Sequence, residues 1–227
     1  MASTHVYNAT SREPPVVPQA DSVAECLDAS ANLTITATPL TNGNQGPYAV
    51  VFDDVLSPAE CQRLIAFTER TNGYEAALVN DGNGRQAYLP DMRTCDRCMI
   101  DDGAAAKVLW ERLRPHLPTE FHGASLIEIN ERLRFLRYSP GHEFKSHFDG
   151  CYRRANGDVS VLTVQFYLNE VTKGGETSMV LGTEEHFVEP KVGRAVVFQH
   201  RGVLHAGEPV FAGRKYTIRS DIMSRPA

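Results

Sequence analysis

Hydrophobic and polar positions change their spacing partway along this chain of 227 residues. Before about residue 130, apolar side chains recur at helical intervals and predict two helices. The first follows Ser57-Pro-Ala-Glu60, which has the pattern of a capping box with proline at the first helical position, and ends at about Arg70. The second runs from about Ala104 to His116 and stops before Pro118.

Short strand-like runs replace this pattern from about Glu131 onward. Each run is bounded by Gly, Pro, Asn or Asp, which predicts strands separated by turns. The runs are RLRFLRY, SVLTVQFYLN, HFVEP, RAVVFQH and KYTIRSDIM, and an earlier one is Tyr48-Ala-Val-Val-Phe52. Helices followed by strands predict a mainly β fold with helices flanking a sandwich or barrel.

The domain organisation follows from the same pattern. Residues 1–30 contain Pro-Pro and many Ser and Ala residues without a sustained period, so they are expected to form a mobile or loosely packed arm. Residues 31–227 are expected to form a single domain, because their number suits one core of β-barrel size.

The composition limits the kinds of binding partner and the cellular location that are expected. Hydrophobic residues make up 42% of the chain and charged residues 22%, which is typical of a globular protein. The formal net charge of -5 argues against a nucleic-acid partner. No apolar run approaches the roughly 20 residues of a membrane span, so no membrane association is expected. The N-terminal residues lack the apolar stretch of a secretory signal, and a cytoplasmic location is therefore expected.

Five cysteines without a secretory signal favour free thiols over a disulfide framework. Cys95 and Cys98 form a Cys-x-x-Cys pair. No second pair accompanies it in the sequence, so a zinc site is not favoured.

The triplet His147-Phe-Asp149 offers two metal ligands on one strand face, because side chains two residues apart point the same way. The distant His205 can complete the set once the barrel closes. Two histidines and one carboxylate leave positions on a ferrous ion open for a bidentate co-substrate and oxygen. The triplet alone is weak evidence because such spacings arise often by chance, and His200 is a rival for the third ligand.

Three longer segments place the triplet in a specific context. They read RYSPGHEFKSHFDG, SVLTVQFYLNEVTKGGETSMV and PKVGRAVVFQHRGVLHAGEPVFAGRKYTIRSDIM. Over roughly residues 130–223 the chain resembles the prolyl 4-hydroxylase-like branch of the Fe(II)/2-oxoglutarate-dependent oxygenases. The shared features are Tyr-x-x-Gly-x-x-Phe before His-x-Asp, Tyr-Leu-Asn before Gly-Gly-Glu-Thr, and a final His-x-Gly-x-Pro-Val.

The resemblance implies a fold, a reaction and a metal site. The fold is a double-stranded β-helix, a cupin-like jelly roll whose open mouth holds the iron. The chain is expected to be a dioxygenase that uses Fe(II), 2-oxoglutarate and O2, with ascorbate as a candidate reductant, and releases succinate and CO2. His147, Asp149 and His205 are the implied catalytic metal ligands.

The resemblance also implies residues that bind 2-oxoglutarate. Lys215, ten residues after His205, matches the basic residue that binds the distal carboxylate, and Tyr138 matches a tyrosine that hydrogen-bonds the same group. A carboxylate taken into a barrel needs such a cation. Arg219 is a rival anchor, because it shares a strand face with Lys215 and its guanidinium can bind a carboxylate through two hydrogen bonds.

Strand alternation provides a check that does not depend on the resemblance. Polar faces could line the pocket while the opposite, apolar faces meet the helices, although a solvent-exposed face would show the same alternation. The inward faces are expected to carry Lys215, Thr217 and Arg219 on one strand, Thr163, Gln165 and Tyr167 on a second, and Tyr138 with Arg134 on a third.

The sequence gives less information about the substrate than about the metal site. Asn130 and Arg134, together with Arg93 and Arg97 of the segment 91–97, offer polar groups that could lie over the mouth. A compact chain without an obvious peptide-binding domain favours oxidation, by hydroxylation, of an aliphatic C–H bond in a small molecule such as an amino acid or metabolite. The alternatives are a prolyl 4-hydroxylase that acts on a peptide or protein, and a non-catalytic jelly roll that binds a small molecule.

Overall fold

A computed structural model describes residues 20–41, 46–80 and 86–226. Most of the predicted N-terminal arm, residues 1–19, lies outside the described residues. At its described end, Val23 and Cys26 are buried in the same apolar cluster as residues of both helices. The boundary between arm and domain stays a prediction.

The described residues form two α-helices, α1 (Pro58–Arg70) and α2 (Gly103–Leu113), and short 3₁₀ helices at Ala24–Cys26 and Arg114–His116. None of the described helices has the length and apolar character needed to cross a membrane. The strands are β1 (Thr36–Pro39), β2 (Ala49–Asp53), β3 (Glu75–Ala76), β4 (Val79–Asn80), β5 (Gln86–Ala87), β6 (Asp96–Asp101), β7 (Glu120–Phe121), β8 (Ala124–Ile129), β9 (Arg132–Tyr138), β10 (Phe144–His147), β11 (Val159–Tyr167), β12 (Lys173–Gly174), β13 (Thr177–Leu181), β14 (Glu184–Val188), β15 (Ala195–Gln199), β16 (Leu204–Gly207), β17 (Val210–Ala212) and β18 (Lys215–Pro226).

Both helices form where the sequence predicts them. At the start of α1, the Ser57 hydroxyl accepts a hydrogen bond from the Glu60 amide, and the Glu60 carboxylate accepts one from the Ser57 amide at 2.7 Å. This is the predicted capping box. Helix α2 ends earlier than predicted, at Leu113, and continues as a 3₁₀ turn. The reason is Pro115, which has no backbone N–H to donate to the preceding helical turn.

Two large antiparallel sheets face each other, and β12 with β17 and β4 with β5 form two further strand pairs. The larger sheet has the order β1-β2-β15-β11-β18-β9-β6-β3, with β8 paired to β18 and β7 paired to β8. The smaller sheet has the order β10-β16-β13-β14. Phe198 of β15 and Met179 of β13 meet in one buried cluster between the sheets. This is the architecture of a double-stranded β-helix, so the predicted jelly roll is confirmed.

Alternation along the strands gives the larger sheet two different faces. Phe166 and Ile218 point to the side on which both helices pack, where they join Leu64 of α1 in the main apolar core. Tyr167 and Phe198 point the other way, toward the smaller sheet. The helices therefore stabilise the sheet from outside and leave its inner face free for polar side chains.

A Gly-Gly turn holds the chain close to the inner end of β18. Gly174 and Gly175 have φ angles of 78° and 80°, a left-handed conformation that favours glycine. A Cβ atom on Gly174 would lie 2.2 Å from the carbonyl oxygen of Pro209, and one on Gly175 would lie 3.4 Å from Cδ of Lys215. The turn therefore fixes the strand pair β12–β17 beside Lys215.

We expect Gly174→Ala to lower the free energy of unfolding by at least about 2 kcal/mol, because the substitution combines left-handed backbone strain with a backbone clash. Chemical denaturation would measure the change. Gly103→Ala is the matched control, since a Cβ atom there meets nothing within 4 Å and its φ is not in the left-handed region. Equal stability of the Gly174 variant and the parent would contradict this reading of the turn.

Candidate metal centre and pocket

Three ligand atoms converge between the smaller sheet and the loop after β10. His147 of β10 and His205 of β16 are register partners, so their side chains leave the sheet side by side. Asp149 follows two residues after His147. One ligand atom from each of the three residues lies within 4.8 Å of the other two. In the part of the chain that the structure describes, these residues are the one group of His, Cys, Asp or Glu close enough to hold a metal ion.

Backbone carbonyl groups orient both imidazole rings. Nδ1 of His147 lies 2.8 Å from the carbonyl oxygen of Lys145, and Nδ1 of His205 lies 3.2 Å from that of Val203. When each Nδ1–H donates to its carbonyl, each Nε2 keeps a free lone pair. The two Nε2 atoms lie 3.7 and 3.5 Å from the carboxylate oxygens of Asp149. This donor set of two histidines and one carboxylate fits Fe(II).

Aromatic rings enclose the two histidines. Phe144 stacks on His147 with ring centroids 3.6 Å apart, and Phe198 meets His205 edge-on at 4.6 Å. Burial lowers the pKa of His147 to about 4, with a further contribution from the neighbouring His205, and burial also lowers the pKa of His205. Both rings are therefore neutral near pH 7, which is the form that binds a metal.

Asp149 is held on both carboxylate oxygens. Nη2 of Arg219 lies 2.7 Å from Oδ1, and the hydroxyl of Thr163 donates to Oδ2 at 2.5 Å. Burial favours the protonated acid, but the positive charge of Arg219, the neighbouring His205 ring and the Thr163 hydrogen bond together hold the pKa of Asp149 well below its usual range. The carboxyl group is therefore an anion at neutral pH.

Lys215 lies deep in the same space. It is only 1% exposed, and Nζ lies 5.1 Å from the ring centroid of Tyr138, its register partner on β9, and 5.6 Å from that of Tyr167. Among the described residues, no carboxylate oxygen lies within 4 Å of this ammonium group. Burial lowers the pKa of Lys215 to about 8. A buried ammonium group of this kind is stabilised by an incoming anion.

One pocket connects the metal ligands to Lys215. Thr163 and Gln165 line its wall together with Lys215 and Arg219, whereas Tyr167 and Thr217, also predicted on the inward faces of β11 and β18, are not part of the lining. The residues of the opposite faces belong to the helix-side core, as predicted: Leu162, Val164, Phe166, Leu168, Tyr216, Ile218 and Ile222. A pocket lined by charged side chains and an apolar core thus share the same strands.

Two predicted substrate residues carry positive charge at or near this pocket. Arg93 lines it, with its guanidinium group 4.4 Å from the Phe144 ring and its Nε donating to Cys95 Sγ at 2.9 Å. Arg134 bonds Asp221 at 3.1 Å and is not part of the pocket lining.

The other two predicted substrate residues lie outside the pocket lining. Arg97 donates to Gln86 at 3.2 Å. Asn130 accepts a hydrogen bond from the Arg132 amide at 2.8 Å and donates to Met223 Sδ at 3.6 Å.

His200 does not join the three-residue ligand group. Its Nε2 lies 3.6 Å from Oδ1 of Asp221, the same carboxylate oxygen that lies 3.6 Å from Arg219 Nη2. Asp221 is not among the site residues predicted from the sequence. The signal was available, because Asp221 is two residues from Arg219 on β18 and therefore shares its face.

Comparisons with known proteins agree with this geometry. The family described as the 2OG-Fe(II) oxygenase superfamily matches residues 133–220, a span that contains all three ligands and Lys215. Prolyl 4-hydroxylase 2 of Arabidopsis thaliana is 28% identical over 228 residues, which covers 85% of this chain and 72% of the relative.

Solved structures share the fold. A prolyl-4-hydroxylase of Pseudomonas putida has a TM-score of 0.57 and 22% identity, over 91% of this chain and 100% of that chain. A prolyl hydroxylase of Trichoplax adhaerens, solved in complex with a hypoxia inducible factor oxygen degradation domain peptide fragment, has a TM-score of 0.62 and 16% identity, over 77% of this chain and 82% of that chain.

We expect His205→Ala to lose Fe(II) binding, because two ligands alone cannot reproduce the three-residue site. Anaerobic titration with Fe(II) would measure the stoichiometry. His200→Ala serves as the matched control and should still bind one Fe(II) per chain, since His200 lies against Asp221 instead of in the ligand group. The reverse result would make His200 the third ligand.

Proposed function

We propose that this chain, which is an Fe(II)/2-oxoglutarate-dependent dioxygenase of the 2OG-Fe(II) oxygenase superfamily, hydroxylates prolyl residues of a peptide or protein. The sequence-based preference for a small-molecule substrate and partner is wrong. The relatives are prolyl 4-hydroxylases, and the Trichoplax adhaerens enzyme binds a peptide fragment. The alternative of a non-catalytic jelly roll is also wrong, because the chain is an oxidoreductase.

The observation that carries the proposal is a pocket lined by both histidines of the three-residue ligand group and by the buried Lys215. Fe(II), 2-oxoglutarate and O2 are the cofactor and co-substrates of this enzyme class, and together they supply the oxidation that hydroxylates an aliphatic C–H bond and releases succinate and CO2. In this proposal His147, Asp149 and His205 hold the iron. The protein contributes ligand geometry, positioning and exclusion of water.

Lys215 is the proposed anchor for the distal carboxylate of 2-oxoglutarate. Its ammonium group is buried without a carboxylate partner among the described residues, and it lies beside Tyr138, whose hydroxyl is a suitable second donor. Arg219 is a weaker candidate for this role, because its guanidinium group is already bonded to Asp149 at 2.7 Å.

Arg93 is the residue of the substrate group best placed to contact a peptide, because it lines the pocket next to Phe144. Its Nη atoms can donate to peptide carbonyl oxygens. Substrate roles for Arg97, Asn130 and Arg134 stay predictions, as does a cytoplasmic location.

The proposal is tested first by succinate formation. Anaerobically iron-loaded protein is mixed with 2-oxoglutarate, exposed to oxygen, and supplied with proline-containing peptides or with free amino acids. We expect the peptides to stimulate succinate release and to gain the mass of one oxygen atom, whereas free amino acids leave succinate at its unstimulated level.

Two controls make this result specific. His205→Ala should form no succinate with any substrate, because it lacks a metal ligand. Peptides in which alanine replaces every proline should not stimulate the parent enzyme. Stimulation by free proline, but not by prolyl peptides, would contradict the proposed substrate class.

The co-substrate affinity should fall at alkaline pH. Lys215 binds a carboxylate only when it is protonated, and burial lowers its pKa to about 8. The affinity for 2-oxoglutarate should therefore fall by about half between pH 7 and 8 and more steeply above pH 8, by at most about tenfold per pH unit. Isothermal titration of the Fe(II) protein at several pH values would measure this.

Lys215→Arg is the matched control for the alkaline decline. Arginine keeps its charge throughout this range, so the variant should bind 2-oxoglutarate more weakly but without the same pH dependence. An identical decline in both proteins would show that another group titrates.

A further inference from the structure

A line of alternating charges ends at the metal centre. Nη1 of Arg134 lies 3.1 Å from Oδ2 of Asp221, and Nη2 of Arg219 lies 3.6 Å from Oδ1 of Asp221. The same Nη2 lies 2.7 Å from Oδ1 of Asp149. Arg219 therefore connects a carboxylate of the proposed iron site to a second carboxylate outside it.

Both carboxylates in this line are buried. The side chains of Asp149 and Asp221 are 5% and 4% exposed, so each needs an ionic partner to remain charged. Thr163 offers Asp149 only a neutral hydrogen bond. Although burial opposes its charge, Asp149 and Asp221 raise the pKa of Arg219. Arg219 is thus the direct cationic partner of Asp149 among the described residues.

The two cations at this face of β18 have different surroundings. Lys215 faces the rings of Tyr138 and Tyr167, with no carboxylate of the described residues within 4 Å. Arg219 contacts two carboxylates. Four residues separate their Cα atoms by about 13 Å along a strand, so the two side chains serve different parts of the pocket.

We propose that Arg219 is a positioning residue for the metal ligand Asp149 and not an anchor for 2-oxoglutarate; the inference rests on the proposed iron role of Asp149. Arg219 holds Oδ1 while Thr163 holds Oδ2, which prevents rotation of the carboxylate. Each carboxylate oxygen has two lone pairs, so the ion pair to Oδ1 and the hydrogen bond to Oδ2 still leave each oxygen a lone pair for a metal. Asp221 Oδ1 lies 3.6 Å from the same Nη2, an electrostatic contact that favours this placement of Arg219.

The direction in which the iron affinity changes when Arg219 is removed distinguishes a positioning role from a purely electrostatic one. A cation beside Fe(II) repels it, so at a pH at which Asp149 stays ionised, removal of a residue that acted only through its charge would strengthen iron binding. Removal of a residue that orients a ligand has the opposite effect, and loss of such outer partners typically weakens metal binding about 10- to 100-fold.

The test compares Arg219→Gln with Lys215→Met in the full chain. Anaerobic titration measures the dissociation constant of Fe(II), and at saturating Fe(II) the visible charge-transfer absorption of the 2-oxoglutarate complex measures co-substrate binding. We expect Arg219→Gln to raise the iron dissociation constant about tenfold or more while 2-oxoglutarate half-saturation changes by less than about threefold. Lys215→Met should show the reverse pattern.

Unchanged or tighter iron binding by Arg219→Gln would overturn the inference, as would a loss of 2-oxoglutarate binding equal to that of Lys215→Met. A parent protein that binds no Fe(II) would instead contradict the proposed function itself. If thermal melting shows that Arg219→Gln is unfolded, Asp221→Asn replaces it. Weaker iron binding with normal 2-oxoglutarate half-saturation would then support the inference, and unchanged iron binding would overturn it.

Discussion

The structure depends on the strict alternation of side chains across its larger sheet. Each central strand contributes apolar residues to the helix-side core and polar residues to the interior between the sheets. Because the two sets alternate within a single strand, a register shift of one residue would exchange them. The apolar face thus fixes the register, and the register in turn brings Tyr138 opposite Lys215.

Burial of charge gives the interior its chemical character. The protein keeps Asp149 ionised by supplying Arg219 and Thr163, and keeps the two imidazoles neutral by enclosing them in aromatic rings. The Lys215 ammonium group, in contrast, has no carboxylate partner among the described residues. A site organised in this way has one anion ready for a metal and one cation ready for an anionic ligand.

Much of this arrangement could be predicted from sequence because its signals are local. The capping box locates the start of α1. The His-x-Asp spacing brings His147 and Asp149 together, although β10 ends at His147 and Asp149 lies in the following loop instead of on the predicted strand face. The end of α2 was misjudged because Pro115 outweighed the apolar spacing. The role of Asp221 depends on Arg134, which lies on another strand and contacts it only after folding. The size of the substrate was misjudged because the motifs describe the iron end of the pocket and not its mouth.

The position of β18 has a consequence for the order in which the enzyme becomes complete. This strand lies between β11 and β9 at the centre of the larger sheet, yet it follows both in the chain and carries Lys215 and Arg219. Strands β11 and β9 cannot complete their native pairing before β18 has been synthesised, and long-range pairing of this kind is slow. During synthesis, the helices and early strands can therefore collapse first, while the catalytic interior assembles only when the central strand inserts.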